Sequence, residues 1–556
     1  MTSGIHNSIL FGALVACGAL AQAAALPGLA AKASELTALP DGGWLSIDKQ
    51  GLHLLDAGGN ERARLAVRAK QLDIRPQTQG GGALAIVMDA DREQVLPVLV
   101  DVKAGTLAAQ TPFPAPPFGI EASCLYRDAQ RIDHLFVIGK DGQAEQWLMH
   151  GEQRRLVRKL ALPPHTKHCR VDDASAQLLV NETKVGLWAY DAEAEGGPGR
   201  KLVGRDEAVK KGAVRFLPWK SAVPAAGKAA KAIIEPRGQT EPVARQGDAA
   251  DDPAIWRNPA DPTGARILGT NKKQGLLVYD LQGKQLQLLE VGRLNNVDVR
   301  QSVTVGGRTM DLAVATERDN NSVMLFEIDA KGVVTQAGAF ATGLDEIYGM
   351  CLYQPADGGL EAFINDKDGS FLQYRIEAGA DGKGMAGKLV RRFKVASQPE
   401  GCVVDDRNDR LYLGEEKRGV WTVSAKADAP AKLDMIMPVG PQLVADVEGM
   451  GLYHGDKASY LVVSSQGDNS YLVLDAKAPY RVRGSFRVGY NLAAGIDGTS
   501  ETDGLEVSSA NFGGPYANGM LVIQDGSKRL PDGPQNFKYV AWDDVAKALN
   551  LDQQSP

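Results

Sequence analysis

The stretch "CLYQPADGGLEAFINDKDGSFLQYRI" (351–376) occurs earlier in the chain in altered form, as "CLYRDAQRIDHLFVIGKDGQAEQWLM" (124–149). Both versions begin with Cys-Leu-Tyr and carry Lys-Asp-Gly at the same offset from the cysteine. Similarity over a segment of this length indicates a repeated structural unit.

Three more pairs of segments match in the same order. They are 47–56 with 271–280, 82–102 with 310–329, and 169–188 with 402–421. The second series then continues through "DVEGMGLYHG", "SYLVVSSQGDNSYLVLD" and "DGTSETDG" to "NFKYVAW", for which the first series has no counterpart. The chain is therefore predicted to contain two copies of one fold, of which the first is incomplete.

The pattern within each copy is that of β-structure. Short runs such as "GLLVYDL" and "SYLVLD" are separated by Gly, Asp and Asn turns, and helical periodicity is confined to "WDDVAKALNLDQ" near the end. The turn-separated units after residue 230 recur at about 40 to 50 residues, which is the length of a propeller blade. We expect an all-β protein, with a catalytic six-bladed β-propeller at 230–556 and an incomplete, degenerate propeller-like domain at 26–229. A Gly-, Ala-, Lys- and Pro-rich linker ends the first domain.

The first 25 residues read as a signal peptide, because an apolar run is followed by the small-residue sequence "AQA" at 21–23. "LVAC" ending at Cys17 also resembles a lipobox, which leaves a lipid anchor open. Both alternatives predict an exported protein, periplasmic or secreted. The net charge of -6, from 62 Lys and Arg against 68 Asp and Glu, gives no basic excess of the kind that nucleic-acid binding requires.

Four cysteines remain after Cys17, and they recur as pairs. Cys124 matches Cys351 and Cys169 matches Cys402. Buried free cysteines would also explain this recurrence, but joint duplication favours disulfides Cys124–Cys169 and Cys351–Cys402, each joining neighbouring blades.

Several catalytic classes are disfavoured by absent residues. The second copy has a single histidine, His454, there is no G-x-S-x-G motif, and "GKGMAGKL" (382–389) lacks the Ser or Thr of a P-loop. Compact groups of carboxylates remain, and "DGTSETDG" (497–504) holds three of them in eight positions. This loop is either a solvated turn or part of a cation site. Carboxylates spread over many blades can converge at the axis of a propeller, where Ca²⁺ with its oxygen ligands would offset their repulsion.

The second copy strongly resembles the β-propeller phytases, the calcium-dependent alkaline phytases of bacteria. The resemblance covers about residues 232–552 and rests on ordered motifs that include "DDPAIW", "TNKKQGLLVYD", "LNNVDVR", "DEIYGMCLY", "PEGCVVDD", "LYLGEE" and "DGTSETDG". It implies a six-bladed propeller that releases phosphate from phytate, myo-inositol hexakisphosphate, with several calcium ions.

The resemblance also implies roles for individual residues. The positions that match calcium ligands are Asp251, Glu400, Asp446, Glu448, Asp497 and Asp503. The positions that match catalytic residues are Lys272, Arg318, Tyr348, Lys367 and Glu415, and those that match phosphate-binding residues are Lys272, Lys273, Arg318, Lys367 and Asp368. The expected reaction is in-line attack on phosphorus by calcium-activated water, without a phosphoenzyme.

The first copy lacks most of these residues. It has Asp48, Ala90, Glu121 and Lys167 opposite Lys272, Arg318, Tyr348 and Glu400, although it retains Lys140, Asp141 and Glu182. We therefore expect a 3-phytase whose first domain has no independent catalysis. The alternatives are a calcium-dependent propeller lactonase, a broader phosphoesterase, and a non-catalytic extracytoplasmic binding module.

Overall fold

The computed structural model describes residues 26–77, 82–182, 184–204, 215–216, 231–379 and 384–553. The predicted signal peptide, Cys17 and most of the predicted linker lie outside these residues. The described residues divide into two compact units, one made of residues 26–192 and 199–216, the other of residues 193–198 and 231–553. The domain boundary placed at residue 230 from composition stays a prediction.

The first unit contains four antiparallel sheets in its described residues, built from seventeen strands in chain order. The sheets are β1 (Glu35–Ala38), β2 (Trp44–Asp48), β3 (Gly51–Leu55) and β4 (Glu61–Leu65); β5 (Ala69–Pro76), β6 (Ala83–Asp89), β7 (Gln94–Asp101) and β8 (Thr106–Ala109); β9 (Ile120–Arg127), β10 (Asp133–Gly139), β11 (Gln143–His150) and β12 (Gln153–Ala161); and β13 (Cys169–Asp172), β14 (Gln177–Glu182), β15 (Gly186–Asp191) and β16 (Arg200–Gly204). Strand β17 (Arg215–Phe216) pairs in parallel with β1.

The second unit contains six sheets, which confirms the predicted six-bladed propeller. Two short strands, β18 (Ala232–Ile234) and β19 (Gly238–Gln239), come first in the chain. The first four blades are β20 (Ala250–Trp256), β21 (Arg266–Asn271), β22 (Gly275–Tyr279) and β23 (Gln285–Leu289); β24 (Leu294–Val305), β25 (Arg308–Glu317), β26 (Ser322–Ile328) and β27 (Val334–Ala341); β28 (Ile347–Tyr353), β29 (Leu360–Asp366), β30 (Ser370–Ala378) and β31 (Met385–Lys394); and β32 (Pro399–Asp405), β33 (Arg410–Glu415), β34 (Gly419–Ser424) and β35 (Asp434–Pro438).

The last two blades use both ends of the unit. The fifth contains β36 (Val447–His454), β37 (Ser459–Ser465), β38 (Ser470–Asp475) and β39 (Val482–Val488), with β18 added beside β39; the sixth contains β40 (Leu505–Ser508), β41 (Met520–Asp525) and β42 (Asn536–Ala541), with β19 beside β42. The predicted C-terminal helix is α1 (Trp542–Leu549), and short 3₁₀ turns lie at Gly28–Lys32, Pro262–Gly264, Gln466–Asp468 and Gly514–Tyr516. The first strands β20, β24, β28, β32, β36 and β40 contact one another in this order, and β40 contacts β20. The ring is therefore closed.

The hydrophobic core of the second unit lies between blades. Six apolar clusters separate successive blades around the ring, including one between the sixth blade and the first. Because every blade is packed on both faces, strands such as β38 are buried along their whole length. In the first unit three such clusters join the four described sheets.

The same ion-pair network, an arginine with two aspartates, occurs once in each unit and supports the duplication. In the second unit Arg300 bonds Asp406 through Nε at 2.8 Å and Asp298 through Nη1 at 2.9 Å. In the first unit Arg75 makes the same two contacts with Asp173 at 2.7 Å and Asp73 at 3.1 Å. Each arginine links the first strand of one blade to the blade two further along. This shared network is structural, because it persists in the copy that lacks most of the predicted site.

Both predicted disulfides are present, which confirms this expectation. Cys124 is bonded to Cys169 and Cys351 to Cys402. The cysteines lie on the first strands of neighbouring blades, β9 and β13 in one unit and β28 and β32 in the other.

Replacing both Cys351 and Cys402 by alanine is expected to lower the free energy of unfolding of the second unit. The bond spans 51 residues, and cross-linking a loop of that length removes roughly 4 kcal/mol of chain entropy from the unfolded state. Urea unfolding, followed by hydrogen exchange in peptides from the second unit, measures the loss. The matched control replaces Cys124 and Cys169, and should leave those peptides unchanged; equal effects of both pairs on the second unit would contradict the expectation.

Candidate active site

The first strands of five blades in the second unit are bulged at equivalent positions. The register with the second strand shifts between Ala250/Pro253, Leu294/Val297, Ile347/Met350, Pro399/Cys402 and Val447/Met450. A bulge bends its strand and re-aims the side chains within it. The residues inside these bulges include Asp251, Asn295, Tyr348, Glu400 and Glu448, and their contacts with one another place them at a common site.

Glycine follows the site residue in several blades because the strands approach closely there. A Cβ on Gly349 would lie 2.0 Å from the carbonyl oxygen of Glu400, and one on Gly401 would lie 2.3 Å from that of Glu448. The sequences "IYGM", "PEGC" and "VEGM" therefore combine a site side chain with the glycine that lets the next blade pack against it.

Three glutamates form the acidic centre of the site. One carboxylate oxygen from each of Glu400, Glu416 and Glu448 lies within 4.8 Å of the others, and all three residues are buried. Burial and the neighbouring Glu400 raise the pKa of Glu448 well above its usual value. Burial also raises the pKa of Glu416 to about 7, against the hydrogen bond from Gln398. The Oε2 atom of Glu448 has no hydrogen-bond partner among the residues that the structure describes.

Lys272 lies within a second group of carboxylates. Its Nζ lies 2.7 Å from Asp248 Oδ1, 2.7 Å from Asp503 Oδ2 and 3.5 Å from Asp251 Oδ1. Burial disfavours the charge on Lys272, but Asp251 and Asp503 outweigh it and raise the pKa of the ammonium group. Burial, opposed by Lys272, raises the pKa of Asp503 to about 6. Asp251 is 1 % exposed, and neither of its carboxylate oxygens accepts a hydrogen bond from any described residue.

Tyr348 lies between the acidic centre and two cations. Lys367 Nζ is 4.7 Å and Arg318 Cζ is 5.6 Å from the centroid of its ring, which is the range of cation–π attraction. Burial, together with the nearby carboxylate of Glu400, raises the pKa of the phenol. Asn295 completes the connection, because it donates to Glu400 Oε1 at 2.9 Å and accepts from Arg318 at 3.2 Å.

Other residues implied by the resemblance have different neighbours. Asp497 is fully buried, accepts from the backbone N–H of Arg529, and lies 3.0 Å from Lys538 Nζ. The charged neighbours of Asp497 thus include Lys538, which also bonds Asp525 at 2.7 Å. Asp446 pairs with Lys417.

The remaining three residues lie at the edge of this arrangement or within a blade. Glu415 is buried and accepts from Ser397 Oγ at 2.6 Å and from Trp421 Nε1 at 2.9 Å. Asp368 is exposed and bonds Lys394 at 2.7 Å, and the hydrogen bond from Lys394 lowers its pKa to about 2. Lys273 donates to the carbonyl oxygen of Gln246 at 2.5 Å.

Three residues at the site were not among those that the resemblance implied: Glu416, Asn295 and Asp248. Glu416 follows Glu415 at the end of β33, so the two side chains point in opposite directions, and it is Glu416 that joins Glu400 and Glu448. Asn295 occupies the position equivalent to Tyr348 and Glu400 in its own blade. An alignment of the six blades with one another would have identified it.

The donor set suits a hard cation. Asp251, Glu400, Glu416 and Glu448 offer only oxygen atoms, several of which have no partner among the described residues. Ca²⁺ binds six to eight such oxygens in flexible geometry. Burial, together with the neighbouring Glu400, raises the pKa values of Asp251 and Glu448, so a cation bound between these carboxylates would favour their ionised forms.

Comparison with known proteins identifies the family. The family model described as Phytase matches residues 212–555. The 3-phytase of Bacillus subtilis (strain 168) is 39% identical over 324 residues, which cover 56% of this chain and 84% of that protein. The match extends over the propeller and the candidate site described above, and on this evidence the chain belongs to the phytase family.

Proposed function

We propose that the second unit hydrolyses phytate to lower inositol phosphates and inorganic phosphate, with several calcium ions as cofactors. Membership of the phytase family makes the chain a phosphoric monoester hydrolase. The observation that carries the calcium requirement is the buried group Glu400, Glu416 and Glu448. Among the described residues, none of these three glutamates forms an ion pair with a lysine, arginine or histidine.

The residues around this group suit a substrate that carries many phosphates. Lys272, Arg318 and Lys367 supply positive charge beside the carboxylates, and hydrogen-bond donors directed at phosphoryl oxygens stabilise the charge of the transition state. Tyr348 holds Arg318 and Lys367 over its ring, and Asn295 fixes Arg318 relative to Glu400. An uncharged lactone would gain little from these cations.

Asp251, Glu400, Glu416, Glu448 and Asp503 would hold the calcium. Calcium bound there would neutralise substrate phosphates and lower the pKa of water for attack on phosphorus. The protein itself would keep these carboxylates ionised and oriented. Lys272 contributes to this at Asp503, because its ammonium group lies 2.7 Å from that carboxylate and favours its ionised form. Asp446 and Asp497 remain proposed ligands, as do the phosphate-binding roles of Lys273 and Asp368 and the catalytic role of Glu415.

The first unit is proposed to be non-catalytic. Asp48, which takes the place of Lys272, bonds His53 at 2.8 Å. Glu182 accepts from Trp188 at 2.6 Å as Glu415 does from Trp421, so this retained glutamate serves the packing of its blade.

Export is proposed from the predicted signal peptide and supported by the two disulfides, which form in oxidising compartments. Among the described helices, none has the length and apolar character needed to cross a bilayer.

The test is phosphate release from phytate by the full-length protein. Activity should appear with calcium, disappear when a chelator is added, and return when calcium is restored. Release that is insensitive to the chelator would contradict the calcium requirement, whereas no release at any calcium concentration from a folded protein would contradict the proposed activity itself.

A further inference from the structure

A short segment outside the family match forms part of the second unit. Residues Glu193–Pro198 group with residues from 231 onward, although they precede residue 212, where the similarity to phytases begins. Ala194 in this segment is 3% exposed. Nothing in the comparison with known phytases assigns it a role.

The central residue of this segment is Glu195, whose side chain is nearly buried. Its Oε2 lies 2.7 Å from Arg529 Nε, and the two side chains are 13% and 16% exposed. The phenol of Tyr490 lies near Glu195, and burial together with that carboxylate raises the pKa of the phenol. A charged pair this well shielded from water is costly to break, because the remaining partner keeps its charge without compensation.

These contacts extend to the acidic loop 497–503 at three points. Arg529, the partner of Glu195, donates its backbone N–H to the carboxylate of Asp497. Asn469 donates from Nδ2 to the carbonyl oxygen of Glu195 at 2.6 Å, and its Oδ1 accepts from the backbone N–H of Glu501 at 2.9 Å. A Cβ placed on Gly498 would lie 3.4 Å from Glu195 Cγ.

The same loop delivers a carboxylate to the candidate site. Asp503 contacts Lys272 at 2.7 Å, and it is oriented by Gln466 and Gln524 through hydrogen bonds of 2.8 Å and 2.9 Å. The loop is thus fixed at its far end by Gln466 and Gln524. Its beginning and middle are held by Arg529 and Asn469, and both of these residues contact Glu195.

We propose that Glu195 is a positioning residue for the acidic loop 497–503, and that through this loop it sets the affinity of the site for calcium. The proposal rests on the proposed function, because it takes the site to bind calcium. Glu195 acts on the loop through Arg529 and Asn469. The functional unit of this protein therefore extends beyond the residues that match the family.

The test compares Glu195→Gln in the full-length protein with the wild type. The substitution preserves shape and removes the charge that holds Arg529. Calcium affinity, measured by isothermal titration calorimetry, should fall by about 10-fold, the lower end of what supporting residues of metal sites contribute. At saturating calcium, kcat should stay within about twofold of the wild type, because no reacting group has been removed. Glu235→Gln, at an exposed glutamate of the same unit, is the matched control and should change neither quantity.

Two further measurements separate this proposal from the proposed function. Hydrogen exchange of the amides of Glu501 and Arg529 should accelerate in Glu195→Gln even in chelator, so the positioning role is visible if the wild type binds no calcium.

The double variant Glu195→Gln/Arg529→Gln removes both charges and should bind calcium no more weakly than Glu195→Gln. It also replaces the single variant if that one fails to fold. Wild-type calcium affinity and unchanged exchange of these amides in a folded variant would overturn the proposal.

Discussion

Lys272→Met is expected to lower kcat/KM for phytate by at least about 100-fold, the usual effect of removing one donor that stabilises a transition state. Lys272 is the residue whose ammonium group contacts both Asp248 and Asp503 at 2.7 Å. The side chain of Lys272 is 13% exposed; burial disfavours its charge, but Asp251 and Asp503 outweigh that effect and raise its pKa. Its loss removes a proposed phosphate contact and leaves these carboxylates with less compensation.

The measurement is steady-state phosphate release at saturating calcium, with Lys432→Met as the control. Lys432 is 83% exposed and its nearest carboxylate partner, Asp434, lies at 4.0 Å, so its removal should leave kcat/KM unchanged. Both variants should be checked for cooperative thermal unfolding. If folded Lys272→Met retained activity within about threefold of the wild type, Lys272 would be a structural counter-ion for Asp248 and Asp503 and the proposed phosphate contact would be wrong.

The sequence was informative about the fold because the duplication supplied an internal comparison. Ordered matches fixed the equivalence of the blades, and the joint recurrence of Cys124 with Cys169 predicted both disulfides. The count of six blades followed from the turn spacing and is confirmed. Alternating patterns were harder to interpret, because blades packed on both faces give strands such as β38 that are buried throughout.

The candidate site was only partly accessible from sequence. Runs such as "PEGC" and "VEGM" could be recognised, but which of Glu415 and Glu416 joins Glu400 depends on where strand β33 ends, and strand ends are poorly determined by sequence. Glu195 carried no local signal, since its role depends on Arg529, which is more than three hundred residues away in the chain. Long-range ion pairs of this kind follow from the folded geometry alone.

Glu448→Gln is expected to have opposite effects on calcium binding and on the stability of the metal-free protein. With calcium, the variant should bind at least about 10-fold more weakly, because a direct ligand contributes no less than the residues that support ligands, and phosphate release at limiting calcium should fall in proportion. In chelator, the variant should be more stable than the wild type. Burial and Glu400 raise the pKa of Glu448 well above its usual value, so at pH 8 the ionised side chain of the unfolded state must either take up a proton on folding or be buried as an anion, and both cost free energy. A neutral amide of the same shape avoids this cost.

The stability change follows from the sign of the pKa shift. An acid whose pKa is raised in the folded state favours folding below its unfolded pKa and loses that contribution as pH rises through its folded pKa. The advantage of Glu448→Gln in chelator should therefore be larger at pH 8 than at pH 5, and about 1 kcal/mol of relieved repulsion would raise Tm by about 2–4 °C. Glu377→Gln, at an exposed glutamate 3.8 Å from Lys388, should shift neither Tm nor calcium affinity. A lower Tm for Glu448→Gln in chelator at both pH values would mean that Glu448 stabilises the fold through bonds to its neighbours, and the three glutamates would then no longer indicate a metal site.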